Sequence, residues 1–435
     1  MSLSNPYFSN LYDLVSCMTK AVDLINVEVS NHHQQVAYLA HALSEKLQLS
    51  LEEKQTLVLS ALLHDIGALS FDNRLDMIEE GPQTSKSHAY IGAKLLCDFE
   101  PLRNVAEVIR FHHIPWDRGA GQFYNGEKVP ILSHVVHLAD RIVVQIHHQE
   151  NIISQINRIR DNIKSKRDTI FEPEQADVFL EISKEEALWL ELTNQPMASD
   201  IFDDLSLDAL RLTLDEVVNL TGVFARIIDF RSPFTSRHSA GVAATAERLA
   251  KLSGFSQDEC KMMNIAGNLH DIGKLAVPRE IIEKQDKLEP SEFDIIRSHT
   301  FYTYNLLSSI SGFEVINQWA SYHHEKLNGN GYPFHIQANG LSLGSRIMAV
   351  ADIFTAITEN RPYRKGMSDE QTRLVLERMV ENGSISGQVV SLLLDNYESI
   401  TEMRQEAARR ADSEYHKIMV LQPDDDRNEK EKGYI

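Results

Sequence analysis

Apolar residues recur along this chain at intervals of three and four, and stretches that alternate apolar with polar are few. That period belongs to helices with one buried face, so the pattern predicts an all-α fold. Local signals sharpen individual elements. Pro290-Ser291 opens an expected helix over 291–310 that carries His299 and closes at Gly312, and Ser368 with Gln371 has the form of a capping box for a helix near 369–381. The run Met262, Met263, Ile265, Ala266, Leu269 ends in the doublet His270-Asp271. From about residue 396 a polar helix trails towards Asp424-Asp425-Asp426, and the last dozen residues are expected to be disordered.

The pattern occurs twice. An ordered set of polar residues, His32, His64-Asp65, His88, His112-His113 and Asp140, returns as His238, His270-Asp271, His299, His323-His324 and Asp352. The step from the first His to the doublet is 32 residues in both copies, and the step from the third His to the His pair is 24 in both. Flanking apolar residues keep register: Val36, Ala37 and Leu43 answer Val242, Ala243 and Leu249, and Leu95-Leu96 answers Leu306-Leu307. Beyond the last Asp, Val178 and Leu180 fall where Val390 and Leu392 do. The expected organisation is therefore two tandem helical bundles, over 1–200 and 214–400, with a junction at 201–213 and a polar helix and tail over 401–435.

Composition narrows the function. A chain of 435 residues, 43% hydrophobic and 24% charged, has room for two cores. A formal charge of -20 argues against a surface that wraps polymeric nucleic acid, since such binding depends on neutralising many phosphates. No apolar run reaches membrane-spanning length, no export signal opens the chain, and Cys17, Cys97 and Cys260 form neither a metal-type pair nor a disulfide framework, so a cytoplasmic protein with no membrane partner is expected. A homodimer is compatible with all of this.

Of the 18 histidines, ten lie in the two ordered sets. Neighbouring helical residues diverge by about a quarter turn, so one His-Asp doublet can serve two adjacent ions. Ligands spread over so many residues must converge from several helices. Imidazole with carboxylate and no thiolate suits Mn, Fe, Co, Ni or Zn better than Ca or Mg, and seven such groups per copy suit two ions. A lone buried His is more often a satisfied core residue than a ligand, and that reading is kept for His33, His41, His134, His137, His147, His148, His335 and His416.

The first copy resembles the HD superfamily of metal-dependent phosphohydrolases, and residues 214–400 resemble its HD-GYP subfamily. The resemblance rests on His238, His270-Asp271-Ile272-Gly273-Lys274, His299, then His323-His324-Glu325-Lys326-Leu327-Asn328-Gly329-Asn330-Gly331-Tyr332-Pro333, and Arg346-Ile347 through Asp352 to Arg361-Pro362-Tyr363-Arg364. It implies hydrolysis of a cyclic dinucleotide, cyclic di-GMP or 3',3'-cyclic GMP-AMP, with iron or manganese, two ions per site. The roles it implies are Asp271 bridging, His238, His270 and Asp352 on one ion, and His299, His323 and His324 on the other. Lys274 with Arg361 or Arg364 would hold phosphate oxygens. Gly329, Gly331 and Pro333 would shape a loop that offers Tyr332 to the ligand. Two departures stand out: Asn328 where the family has Asp, and Phe234 where some members carry a Glu for a third metal. Two ions are expected on that account.

The first copy keeps every ligand-type position, His32, His64, Asp65, His88, His112, His113 and Asp140, but has Ala68 in place of Lys274 and reads Ile114-Pro115-Trp116-Asp117-Arg118-Gly119 after its His pair. Glu28, one turn before His32, is either a further carboxylate or an exposed helical residue. The first copy is read as a phosphomonoesterase, a 5'-nucleotidase, that removes the terminal phosphate from the linear product of the second. The competing reading is a nucleotide-sensing scaffold in which the first copy is a non-catalytic regulatory or dimerisation domain.

Overall fold

The structure is a computed structural model and describes residues 8–25, 31–70, 82–194, 205–230, 237–360 and 365–420. Glu28, Phe234, Arg361 and Arg364 lie outside the described residues.

Helices dominate, as the three- and four-residue spacing implies, and the described strands are two short antiparallel pairs. In the first half the site-bearing helices are His32–Ser44, Leu51–Leu63, Pro82–Leu96, Arg103–Arg110 and Ile131–Val143. Their counterparts are His238–Leu252, Gln257–Leu269, His299–Leu307, Glu314–Ser321 and Leu343–Thr358. Capping boxes start equivalent helices in the two halves: Ser50 with Glu53 before Leu51–Leu63, and Ser256 with Glu259 before Gln257–Leu269. The box at Ser368 and Gln371 is also present.

One expected element differs. The helix over 291–310 is two pieces, Pro290–Arg297 and His299–Leu307. At the break the carbonyls of Ile295 and Ile296 are taken by side chains, Ser298 Oγ at 2.6 Å and His299 Nδ1 at 2.6 Å. Competition of this kind for helical carbonyls loosens the ladder. It also turns the His299 ring inward.

The halves are joined by more than a linker. Ser9–Asn10 pairs with Arg211–Leu212, setting the starts of both copies side by side. The first helix of each copy then packs on both halves: Leu11–Asp23 on its own Leu51–Leu63 and on the Ile272–Ala276 turn, and Leu214–Phe230 on its own Gln257–Leu269 and on the Ile66–Ser70 turn. Phe8 meets Phe313 with ring centroids 5.9 Å apart. One continuous apolar core therefore runs from Leu11 to Ile400, and the turn that follows each His-Asp doublet is wedged between halves. The helix Tyr397–Val420 covers His238–Leu252 and buries Arg404.

Candidate metal centres

Each doublet forms where a helix ends. His270 is the C-cap of Gln257–Leu269, and Asp271 already lies in the turn leading to Ile272–Ala276. The divergence of the two side chains thus comes from the helix end rather than from helical spacing within it. His64 is the C-cap of Leu51–Leu63 in the same way. The glycine two residues beyond Asp permits the turn to sit on the backbone of the third histidine. A Cβ on Gly273 would stand 2.0 Å from the His299 carbonyl oxygen, and one on Gly67 2.2 Å from that of His88. No larger residue fits there.

Helix ends leave carbonyls without amide partners, and the site histidines occupy them. His270 Nδ1 donates to Gly267 O at 2.7 Å, His299 Nδ1 to Ile296 O, and His323 Nδ1 to Ala320 O, the last two at 2.6 Å. In the first half His64 Nδ1 donates to Ala61 O at 2.8 Å and His112 Nδ1 to Ile109 O at 2.6 Å. A carbonyl can only accept, so the proton is on Nδ1 and the Nε2 lone pair points into the site.

Three groups of potential ligand atoms result in the second half: His238, His270 and Asp352; His270, Asp271 and His323; and His299, His323 and His324, each within 4.8 Å. Asp271 sits between the outer two, its Oδ2 3.1 Å from His270 Nε2 and its Oδ1 3.5 Å from His299 Nε2. In the first half the groups are His32, His64 and Asp140, and Asp65, His88, His112 and His113. There Asp65 Oδ1 is 3.1 Å from His88 Nε2. None of the eight histidines set apart from the ligand sets belongs to such a group among the described residues, but only His33, His41, His134 and His137 are core residues, and His147, His148, His335 and His416 are exposed. His33, for one, pairs with Asp23 at 2.5 Å.

These residues fit a cation. His299 Nε2 and His323 Nε2 lie 3.3 Å apart, and both rings have given their only proton to a carbonyl. Two facing lone pairs repel unless a positive charge lies between them. His112 Nε2 and His270 Nε2 are likewise buried, with no hydrogen-bond partner among the described residues. Burial moves the imidazoles further from protonation: it lowers His299 and His112 to about 3 and His64 to about 4. Burial opposes ionisation of Asp271, but His270 and Lys274 hold its carboxyl well below the usual range.

One residue at the second centre, Glu359, carries no sequence signal of its own. Glu359 is buried, with Oε2 3.4 Å from His238 Nδ1, and lies seven residues after Asp352, two helical turns along the same face. Burial disfavours charge on His238, yet Asp352 and Glu359 together raise it to about 10. Glu325, third in the His-His-Glu string, accepts from the backbone N–H of Phe334 at 2.7 Å and Ile336 at 3.0 Å, which fixes the loop that presents Tyr332. That loop folds tightly at Gly331, where a Cβ would meet the backbone of Glu325 and Lys326 at 2.4 and 2.3 Å. Tyr332 packs on His324, ring centroids 5.0 Å apart, under the Arg297 guanidinium at 5.1 Å. Asn328 donates from Nδ2 to Asn382 O at 3.1 Å, a bond that the family's Asp could not make. Lys274 Nζ lies 2.5 Å from Asp271 Oδ2 at the edge of the cluster.

The HD domain family matches this chain twice, over residues 29–144 and 222–389. The 3'3'-cGAMP-specific phosphodiesterase 1 of Vibrio cholerae is 29% identical over 397 residues, 89% of this chain and 92% of that protein. The 3'3'-cGAMP-specific phosphodiesterase 3 of the same organism is 29% identical over 63% of this chain and 59% of its own length. A cyclic di-GMP phosphodiesterase of Pseudomonas aeruginosa is 33% identical over 44% of this chain and 45% of its own length. Among solved structures, that of the cyclic GMP-AMP specific phosphodiesterase V-cGAP3 of V. cholerae aligns with a TM-score of 0.62 at 23% identity, covering 90% of this chain and 98% of that one, a likeness of fold. The chain belongs to the HD-domain family, carries that domain twice, and is a homologue of cyclic-dinucleotide phosphodiesterases.

Proposed function

We propose that this chain is a metal-dependent phosphodiesterase that opens a cyclic dinucleotide, cyclic di-GMP or 3',3'-cyclic GMP-AMP, to the linear 5'-phosphorylated dinucleotide at its second centre. The observation that carries this reading is the pair of facing imidazole lone pairs at His299 and His323, beside a bridging-type Asp271 and next to a loop that offers Tyr332. The likeness to a 3'3'-cGAMP-specific enzyme over nearly the whole chain supports it.

His238, His270 and Asp352 would hold one ion, His299, His323 and His324 a second, with Asp271 between; iron or manganese suits this mixture of imidazole and carboxylate. When bound, such a pair of ions lowers the pKa of water to near neutrality and offsets charge on the attacking and leaving oxygens. The protein's own residues do the rest. The carbonyl-bound Nδ1 atoms lock the imidazoles before substrate arrives. Lys274 can turn its ammonium from Asp271 to a phosphate oxygen; Arg361 or Arg364, outside the described residues, is the forked donor that the resemblance implies for the same group. Tyr332, its ring held between His324 and Arg297, gives the ligand an aromatic face.

The first centre keeps its ligand-type residues without Lys274 or the Tyr332 loop, and we assign it removal of the terminal 5'-phosphate from the linear product. The test is incubation of the Mn- or Fe(II)-loaded chain with each cyclic dinucleotide, read by chromatography. Linear dinucleotide is expected from wild type and from a His64→Ala/Asp65→Ala variant, and free phosphate from wild type alone. Failure of both substrates to open would overturn the phosphodiesterase reading and favour a nucleotide-sensing scaffold.

A further inference from the structure

The copies differ at two positions beside the clusters in a complementary way. Next to Asp271 stands Lys274, where the first copy has the buried Ala68. Next to Asp140 stands Arg141, where the second copy has Ile353 after Asp352. Arg141 donates from Nε and Nη2 to a single oxygen, Asp140 Oδ2, at 2.9 and 2.7 Å. The other oxygen, Oδ1, faces the imidazoles, 3.3 Å from His32 Nε2 and 3.8 Å from His64 Nε2. The guanidinium thus lies behind the carboxylate at the rim of the cluster, its side chain 31% exposed, and Nη1 makes no hydrogen bond among the described residues.

We propose that Arg141 is the phosphate anchor of the first centre and holds a phosphomonoester over the His32, His64, Asp140 side of that cluster. This rests on the reading that the first centre binds metal and phosphate. A terminal phosphate carries close to two negative charges at neutral pH and three free oxygens, whereas a diester carries one charge and two. A planar fork with donors to spare gains most from the former, and a lysine point charge is less selective. The anchors also sit on opposite ligand sets, Lys274 beside the central Asp271 and Arg141 beside the outer Asp140. The two centres therefore receive phosphate from different sides, the ring diester over one set and the chain end over the other.

The test uses the full Mn-loaded chain, in wild-type form and with His270→Ala to weaken the second centre, each with Arg141, Arg141→Ala or Arg141→Lys. Inorganic phosphate is the probe in calorimetry, with metal content measured in parallel. Arg141→Ala is expected to weaken phosphate binding at the first centre about tenfold or more, as loss of a charge-assisted pair does, with metal retained. Millimolar guanidinium ion is expected to restore part of the affinity, and ring opening in the otherwise wild-type chain to stay within about twofold. Unchanged phosphate affinity, no phosphate binding at all, or loss of metal from the Ala and Lys variants alike would overturn the proposal, the last because Arg141 would then act only through Asp140. If phosphate binding depends on Arg141 but the wild-type chain frees no phosphate from linear dinucleotide, the anchor stands and the phosphomonoesterase reading falls.

Discussion

Glu359 Oε2 lies 3.4 Å from Nδ1 of His238, on the opposite edge of the imidazole from Asp352, whose Oδ1 is 3.2 Å from Nε2. The ring is thus held between two carboxylates, one in the cluster and one behind it. A carboxylate behind a ligating imidazole orients it and raises its basicity. We expect Glu359→Ala to lower metal affinity at the second centre about 10- to 100-fold, measured by chelator competition, with the first centre unaffected.

The facing lone pairs of His299 and His323 make the metal-free protein electrostatically unfavourable at its core. A ligand that binds the native state alone stabilises it by about 2.7 kcal/mol at a hundredfold excess over Kd. Chelation is therefore expected to lower Tm by several degrees, and Mn to restore it. Calorimetry with and without chelator checks this, and an unchanged Tm would count against metal binding at either centre.

Acid should act on the metal-free form through the same imidazoles. His299, His112 and His64 are depressed to about 3, 3 and 4, against about 6.5 in the unfolded chain. Between pH 6.5 and about 4 the unfolded state binds more protons, so stability falls as pH falls through that window. His238 works in the other direction, since its raised value of about 10 gives stability that is lost as pH rises through 10. Urea titrations of the chelated protein at pH 5 and pH 7 should show the lower midpoint at pH 5.

Gly273→Ala would press a Cβ to 2.0 Å from the His299 carbonyl oxygen, in a turn wedged between the halves. Backbone on both sides prevents easy relief. A loss of about 3 kcal/mol is expected, with metal lost from the second centre, read by urea unfolding and elemental analysis.

Lys274→Met keeps the length of the side chain and removes the charge beside Asp271. Metal content is expected to hold while kcat/KM for the cyclic dinucleotide falls about 100-fold, in line with removal of one charge-stabilising donor. An activity within twofold of wild type would remove Lys274 from the substrate site.

Much of this was legible in the residues alone. Helical spacing and two copies of a set of seven ligand-type residues at nearly matched steps determined an all-α fold with paired clusters, because local periodicity and covalent spacing restrict which side chains can converge. Tertiary structure decided the rest. Glu359 and Arg141 act through partners brought near by folding, and an isolated Glu or Arg in a helical pattern reads as solvated surface. The packing of each copy's first helix against the other copy's site turn was equally invisible, since the apolar face of Leu11–Asp23 says only that it is buried and not against which half. Periodicity specifies that a face is covered; the partner that covers it is settled only when the whole chain closes on one core.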